Sequence, residues 1–179
     1  QLFRVYTQIL QKTIGDVGSM KIPVHRLLHI GDEKLYLDQD LDFSQLIGRH
    51  PQLVAVQPVT FKGQMYRQGN LIVLEGELAG SYTLQCSRCL EPYSEPFKLS
   101  VVERFDLSPF ARDDGVDQEE DGEIHPVRGQ ILDLVPFLEE HILLSIPFVP
   151  SCGDEAVCRT KMKQQGKDWI FNAQPVEGG

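Results

Sequence analysis

The chain has 179 residues, 41% hydrophobic and 24% charged, with a formal net charge of -9. That length and balance suit one ordinary globular domain with its own core, and no apolar run reaches the roughly 18 to 20 residues that span a bilayer. The acidic balance argues against a general phosphate-binding surface, which needs clustered Lys and Arg to release counterions. Seven of the acids nevertheless fall in one stretch, DDGVDQEEDGE from Asp113 to Glu123, and outside it 17 basic residues face 19 acidic ones.

The N-terminus, QLFRVYTQILQKTIGD, lacks the basic start, continuous apolar segment and small-residue cleavage site of a signal peptide. Its opening, LFRVYTQILQ, reads as a first strand because β-branched and aromatic residues partly alternate with polar ones. From Lys21 to Gly48 no sustained period appears. Pro23, Gly31 and the Asp-rich run predict short elements and turns, ending in a short helix capped by Asp42 or Ser44. His25 and His29 have i, i+4 spacing without a Glu partner, so they read as ordinary surface or core histidines.

Beyond Leu53 the pattern sharpens into LVAVQPVTFKG, GNLIVLEGELAG, SYTLQC and SEPFKLSVVERFDL. These β-branched and aromatic runs, bounded by Gly, Pro or Asn, predict an antiparallel meander. In the second, Ile72, Leu74 and Leu78 share one face, while Leu71, Val73, Glu75 and Glu77 share the other. The acidic segment at 112–124 is expected to be a solvated, mobile loop. Apolar residues at helical spacing in QILDLVPFLEEHILL predict a helix over 130–144; Pro136 belongs in a first turn, so the helix proper should begin near Asp133 and reach about Ser145. His141 on this helix reads as a surface or boundary residue. The fold class that follows is α+β: a single domain over 1–179, with an antiparallel meander or barrel-like sheet and a C-terminal helix packed on it. A flexible tail is expected over 159–179, bearing Arg159, Lys161, Lys163 and Lys167 and then Trp169, Ile170 and Phe171.

The chemistry is concentrated in four cysteines. Cys86 and Cys89, in LQCSRCLEP, occupy the turn between the third and fourth runs, and Cys152 and Cys158 lie in PSCGDEAVC. Structural zinc takes four soft ligands in a tetrahedron, and close pairs are the usual source of two at once. Cys86-x-x-Cys89 has the favoured spacing, whereas five residues separate Cys152 from Cys158. The competing reading is that small residues simply suit a tight turn. A redox CxxC belongs at the start of a helix, but here a strand follows. A nucleobase deaminase would need H-x-E, which occurs at none of the five histidines. Signatures for a nucleophile elbow, zinc protease, P-loop or dinucleotide site are absent too, which favours a non-enzyme. With so few cysteines and no secretion signal, free thiols in a reducing compartment are expected.

Several motifs together resemble the YceD family, called large ribosomal RNA subunit accumulation protein. They are Cys86-Ser87-Arg88-Cys89-Leu90, Pro92, Glu103-Arg104-Phe105, the acids from Asp113 to Glu123, Ile131-Leu132-Asp133-Leu134 with Glu139-Glu140, and Leu144 to Pro150 with prolines at 147 and 150 before Cys152. Many members carry further cysteines after the last motif, where this chain has Arg159-Thr160-Lys161-Met162. The resemblance covers about Gly69 to Cys158. It implies a non-catalytic role in accumulating or assembling large-subunit ribosomal RNA, with that RNA or a basic ribosomal or assembly protein as partner. The expected setting is the bacterial cytoplasm or a plant organelle stroma. Arg88, Arg159, Lys161, Lys163 and Lys167 are candidates for meeting phosphate or an acidic surface, with one structural zinc on the four cysteines. The alternative is a metal-dependent enzyme acting on RNA through the cysteine site.

Overall fold

A computed structural model describes residues 19–108, 123–153, 155–162, 165–166 and 169–170. The expected first strand and nearly all of the acidic segment lie outside the described residues.

The sheet is built around two 15-residue strands, β5 (Leu71–Gln85) and β6 (Pro92–Asp106), paired antiparallel over their whole length. β4 (Val59–Gln68) pairs the first part of β5, and β3 (Leu53–Val56) pairs its far end, from Tyr82 to Leu84. The expected single run LVAVQPVTFKG is therefore two strands on one edge of β5. The break falls at Gln57-Pro58, where proline has no N–H to give the ladder. Conversely, GNLIVLEGELAG and SYTLQC are not separate strands. Gly80 and Ser81 continue β5 without a turn, opposite Phe97 and Pro96.

β2 (Leu35–Leu41) forms one edge against β4, and β7 (Ile124–Pro126) forms the other, parallel to β6. The sheet stays open rather than closing into a barrel. β2 was hidden in the sequence by its aspartates, although Leu35, Leu37 and Leu41 keep the two-residue period and the last two are buried. Beside the sheet, β1 (Lys21–Pro23) pairs β8 (Ile131–Asp133) antiparallel. Two helical elements complete this part: α1 (Val24–Leu28) and a 3-10 turn at Ser44–Leu46. Asp42 accepts a hydrogen bond from the Ser44 amide at 2.8 Å, so the acid does mark the turn, one residue before its Phe43 cap.

The principal helix, α2 (Val135–Ser145), has Pro136 in its first turn. Its entry differs from expectation. Residues 131–133 are extended because they pair with β1, and Asp133 accepts from the Val135 amide at 3.1 Å, helping to satisfy a donor that no helical carbonyl reaches. Leu138 and Ile142 of α2 join Ile72, Leu74, Leu78, Val101 and Phe105 in one core. The face division within β5 is as its alternation predicts, except that Val73, between Tyr66 and Arg104 of the neighbouring strands, is buried too. Gly63 and Gly76 face each other across β4 and β5, and a Cβ on Gly76 would come within 2.5 Å of the Phe61 ring. The fully buried phenyl ring fills the space that two side chains would have taken.

After α2 the chain runs through the prolines at 147 and 150 to a second short helix, α3 (Glu155–Lys161). Arg159 and Lys161, at the start of the expected tail, are therefore helical. β9 (Gln165–Gly166) and β10 (Trp169–Ile170) pair antiparallel beyond it. No helix among the described residues is long and apolar enough to cross a membrane.

Candidate metal centre

The turn joining β5 to β6 begins at Cys86, whose amide donates to the Glu91 carbonyl while its carbonyl accepts from the Leu90 amide, both at 3.0 Å. Those bonds close the loop tightly enough to force Leu90 to a φ of 64°. A non-glycine residue pays for that left-handed conformation. The turn is also held from outside. Gln52 Nε2 donates to Ser87 Oγ, and the Ser87 amide donates to the Pro150 carbonyl, each at 2.8 Å. The last contact docks the C-terminal segment on the turn two residues before Cys152. Gly153, at a φ of 100°, then bends the chain into α3, which brings in Cys158.

All four sulfurs meet there. The Sγ atoms of Cys86 and Cys158 are 3.7 Å apart, and those of Cys89 and Cys152 are 3.8 Å apart. The whole set lies within 4.8 Å of one another. Cys86, Cys89 and Cys158 are buried and Cys152 is partly exposed, with Tyr93 and Met162 packed against the group. The wide second spacing, which weakened the sequence signal, is spanned by the bend at Gly153 and the first turn of α3. Four sulfurs about 2.3 Å from a central ion make a tetrahedron with edges of about 3.8 Å, so the donor set and its spacing are compatible with a metal site.

Electrostatics favour a cation at this point. Burial opposes ionisation of Cys86, yet hydrogen bonds from the backbone at Cys89, Cys152 and Arg88 outweigh it and bring its thiol down to about 6. Burial, then hydrogen bonding with Cys89 and Cys86, pushes Cys158 up to about 12. Burial, followed by hydrogen bonding with Cys86 and Cys89, raises Cys152 as well. One thiolate among close neighbours makes further ionisation costly, and a bound cation would reverse that cost.

Of the cationic candidates, Arg88 is exposed between Cys86 and Cys89, and Arg159, next to Cys158, is exposed and pairs with Glu155 at 2.8 Å. Lys161 belongs to α3, while Lys163 and Lys167 lie outside the described residues. The sequence reading missed a second polar cluster. The carboxylate of Glu103 on β6 lies 2.7 Å from His125 Nε2 of β7 and 2.6 Å from His141 Nε2 of α2. The two imidazoles occupy separate oxygens of one carboxylate, an arrangement that ties the helix and the edge strand to the sheet. His141 is thus a boundary residue. His25 and His29 are exposed and bonded locally, with His29 Nδ1 2.7 Å from the His25 carbonyl oxygen. Among the described residues, the cysteines alone bring three or more potential ligand atoms together within such a distance.

Fold and site together define an α+β protein in which four thiols gather where the central hairpin meets the C-terminal segment. A family described as Large ribosomal RNA subunit accumulation protein YceD matches residues 74–177, and the chain belongs to that family. It is 27% identical over 150 residues to the Uncharacterized protein YlbN of Bacillus subtilis, covering 84% of this chain and 83% of that one. It is 30% identical over 112 residues to the Large ribosomal RNA subunit accumulation protein YceD of Haemophilus influenzae, covering 60% of this chain and 58% of that one. No solved structure matches the chain significantly.

Proposed function

We propose that the protein is a non-catalytic factor in the accumulation of large-subunit ribosomal RNA in the cytoplasm, and that the four cysteines hold one structural zinc ion. The role in RNA accumulation is supported by family membership and by the name of the Haemophilus relative. The observation that carries the non-catalytic part is the all-sulfur site. Four cysteine sulfurs, Cys86, Cys89, Cys152 and Cys158, gathered within 4.8 Å would fill a tetrahedron around an ion and leave no position for water or substrate, whereas catalytic zinc keeps one open. Zinc bound here would fix the β5–β6 turn against the segment from Pro150 to Cys158, presenting Arg88 and Arg159 on a rigid platform. The partner is large-subunit RNA or a basic ribosomal or assembly protein, and Lys161, Lys163 and Lys167 are the further cationic residues we assign to contact with it.

Elemental analysis of protein purified under reducing conditions tests the centre. About one equivalent of zinc, lost in Cys86→Ser, is expected for a closed tetrahedral site; metal-free, stable wild type would sink that part. The cellular role is tested in bacteria lacking their own family member, by restoring this chain and measuring large- against small-subunit ribosomal RNA. A ratio left uncorrected by well-expressed protein would count against the role. The partner assignment predicts capture of large-subunit precursors or basic ribosomal proteins that weakens with salt.

A further inference from the structure

We propose that the four thiols form a clamp with two chemical states: thiolates around a metal under reducing conditions, and two disulfides, Cys86–Cys158 and Cys89–Cys152, after oxidation by a hydroperoxide. Two close sulfur pairs run between the β5–β6 turn and the C-terminal segment, Cys86 with Cys158 at 3.7 Å and Cys89 with Cys152 at 3.8 Å. Either bridge would therefore hold together the same two pieces that a metal would hold. Pairing within the turn is disfavoured. The Cys86 amide and carbonyl are both engaged by Glu91 and Leu90, so drawing Cys86 and Cys89 together would disturb a locked loop. Closing the intersegment pairs instead asks for movement of α3 and the bend at Gly153, where Cys158 is the single buried residue among the described side chains of the helix.

Access sets the order. Cys86 and Cys158 are 0% exposed and Cys89 is 7% exposed, leaving Cys152 as the sulfur an oxidant reaches first. Cys152, a thiolate where metal is bound and otherwise a thiol that must first lose its proton, attacks the peroxide; the O–O bond breaks, one oxygen stays on sulfur as a sulfenic acid, and the other leaves as hydroxide and is protonated to water. The Cys89 thiolate then attacks that sulfur, the S–S bond forms and a second hydroxide leaves as water. Two electrons pass from the sulfur pair to one peroxide. The opening left by Cys89 and Cys152 admits a second peroxide to Cys86 and Cys158, which are oxidised in the same way. With all four thiolates consumed, any ion they hold loses its ligands.

The metal half of this inference rests on the zinc reading above, while the sulfur pairing stands independently. Purified full-length protein is titrated with hydrogen peroxide in the presence of a chromogenic zinc chelator, then digested without reduction for peptide mapping. About two equivalents of peroxide should release the zinc and yield cross-linked peptides carrying Cys86–Cys158 and Cys89–Cys152. Dithiothreitol plus zinc should restore the starting state. Cys152→Ser should slow oxidation of the remaining thiols. Should the purified protein contain no zinc, the zinc reading fails and the peptide map alone decides the pairing. A Cys86–Cys89 bridge, sulfonic acids in place of disulfides, or thiols that survive excess peroxide would overturn the proposal. So would melting of the oxidised protein at the temperature of reduced protein stripped with chelator, since a covalent clamp must hold where the empty one does not.

Discussion

In the core of the sheet, Phe61, Leu74, Leu78 and Phe105 are fully buried against one another, whereas Cys158 is the single buried residue among the described side chains of α3. The first region is held by apolar area removed from water, spread over many side chains. The second cannot be, because a helix of seven residues is well below the length that persists alone and contributes almost no apolar area. It meets the β5–β6 turn through the sulfurs and a few hydrogen bonds, among them that from Ser87 to the Pro150 carbonyl. One chain thus combines a core held by many apolar side chains with an appendage that meets the rest through four sulfurs and a few hydrogen bonds.

Breaking the core should have the largest effect. Phe105→Ala removes a ring packed edge-on against Phe137 at 5.0 Å and should cost about 3–5 kcal/mol in denaturant unfolding. An unchanged midpoint would mean that the sheet is not the stabilising unit. Gly76→Ala should follow at about 1–3 kcal/mol, because the new methyl meets the Phe61 ring and the Lys62 carbonyl. Its companion Phe61→Leu should recover part of that loss.

Breaking the clamp should leave the sheet standing. Chelation or Cys86→Ser should abolish metal binding and remove amide-exchange protection from 86–90 and from 150–161, while protection across β4, β5 and β6 persists. Loss of protection throughout the sheet would show that the two regions fold as one. Acid should sharpen the same contrast. In the absence of metal Cys158 keeps its proton up to about pH 12, so zinc must displace it, and protons compete more strongly as the pH falls. Cys86, lowered to about 6, stays ionised further into acid than Cys152 or Cys158, both raised. Zinc affinity should therefore drop between pH 8 and pH 6, as a competitive chelator titration would record, and an affinity independent of pH would argue against thiolate ligation. Smallest of all, Arg49→Ala removes an ion pair with Glu139 that is largely open to water at the arginine, and thermal melts should shift by no more than about 1 kcal/mol.

What the sequence determined by itself were the local features. The period-two runs located the central strands, the three- and four-residue spacing with Pro136 located α2, and Cys86-x-x-Cys89 marked the turn that carries two of the four gathered thiols. Each depends on residues close together in the chain, where side-chain period and turn sterics act directly. Tertiary structure decided the rest. It fused two expected strands into β5, since the partner β6 runs the full length and carries the chain past Gly80 without a turn. It recruited β2 despite its aspartates, because a sheet edge can keep one face in water. It turned 131–133 from helix into strand because β1 was there to pair with, and it gathered Glu103, His125 and His141 from three separate elements. The cysteine centre depends most on it: Cys152 and Cys158, more than sixty residues from the first pair, become its second half only because Ser87 hydrogen-bonds to Pro150 and α3 folds back. Nothing in a linear pattern encodes the distance between two such segments, which packing alone sets.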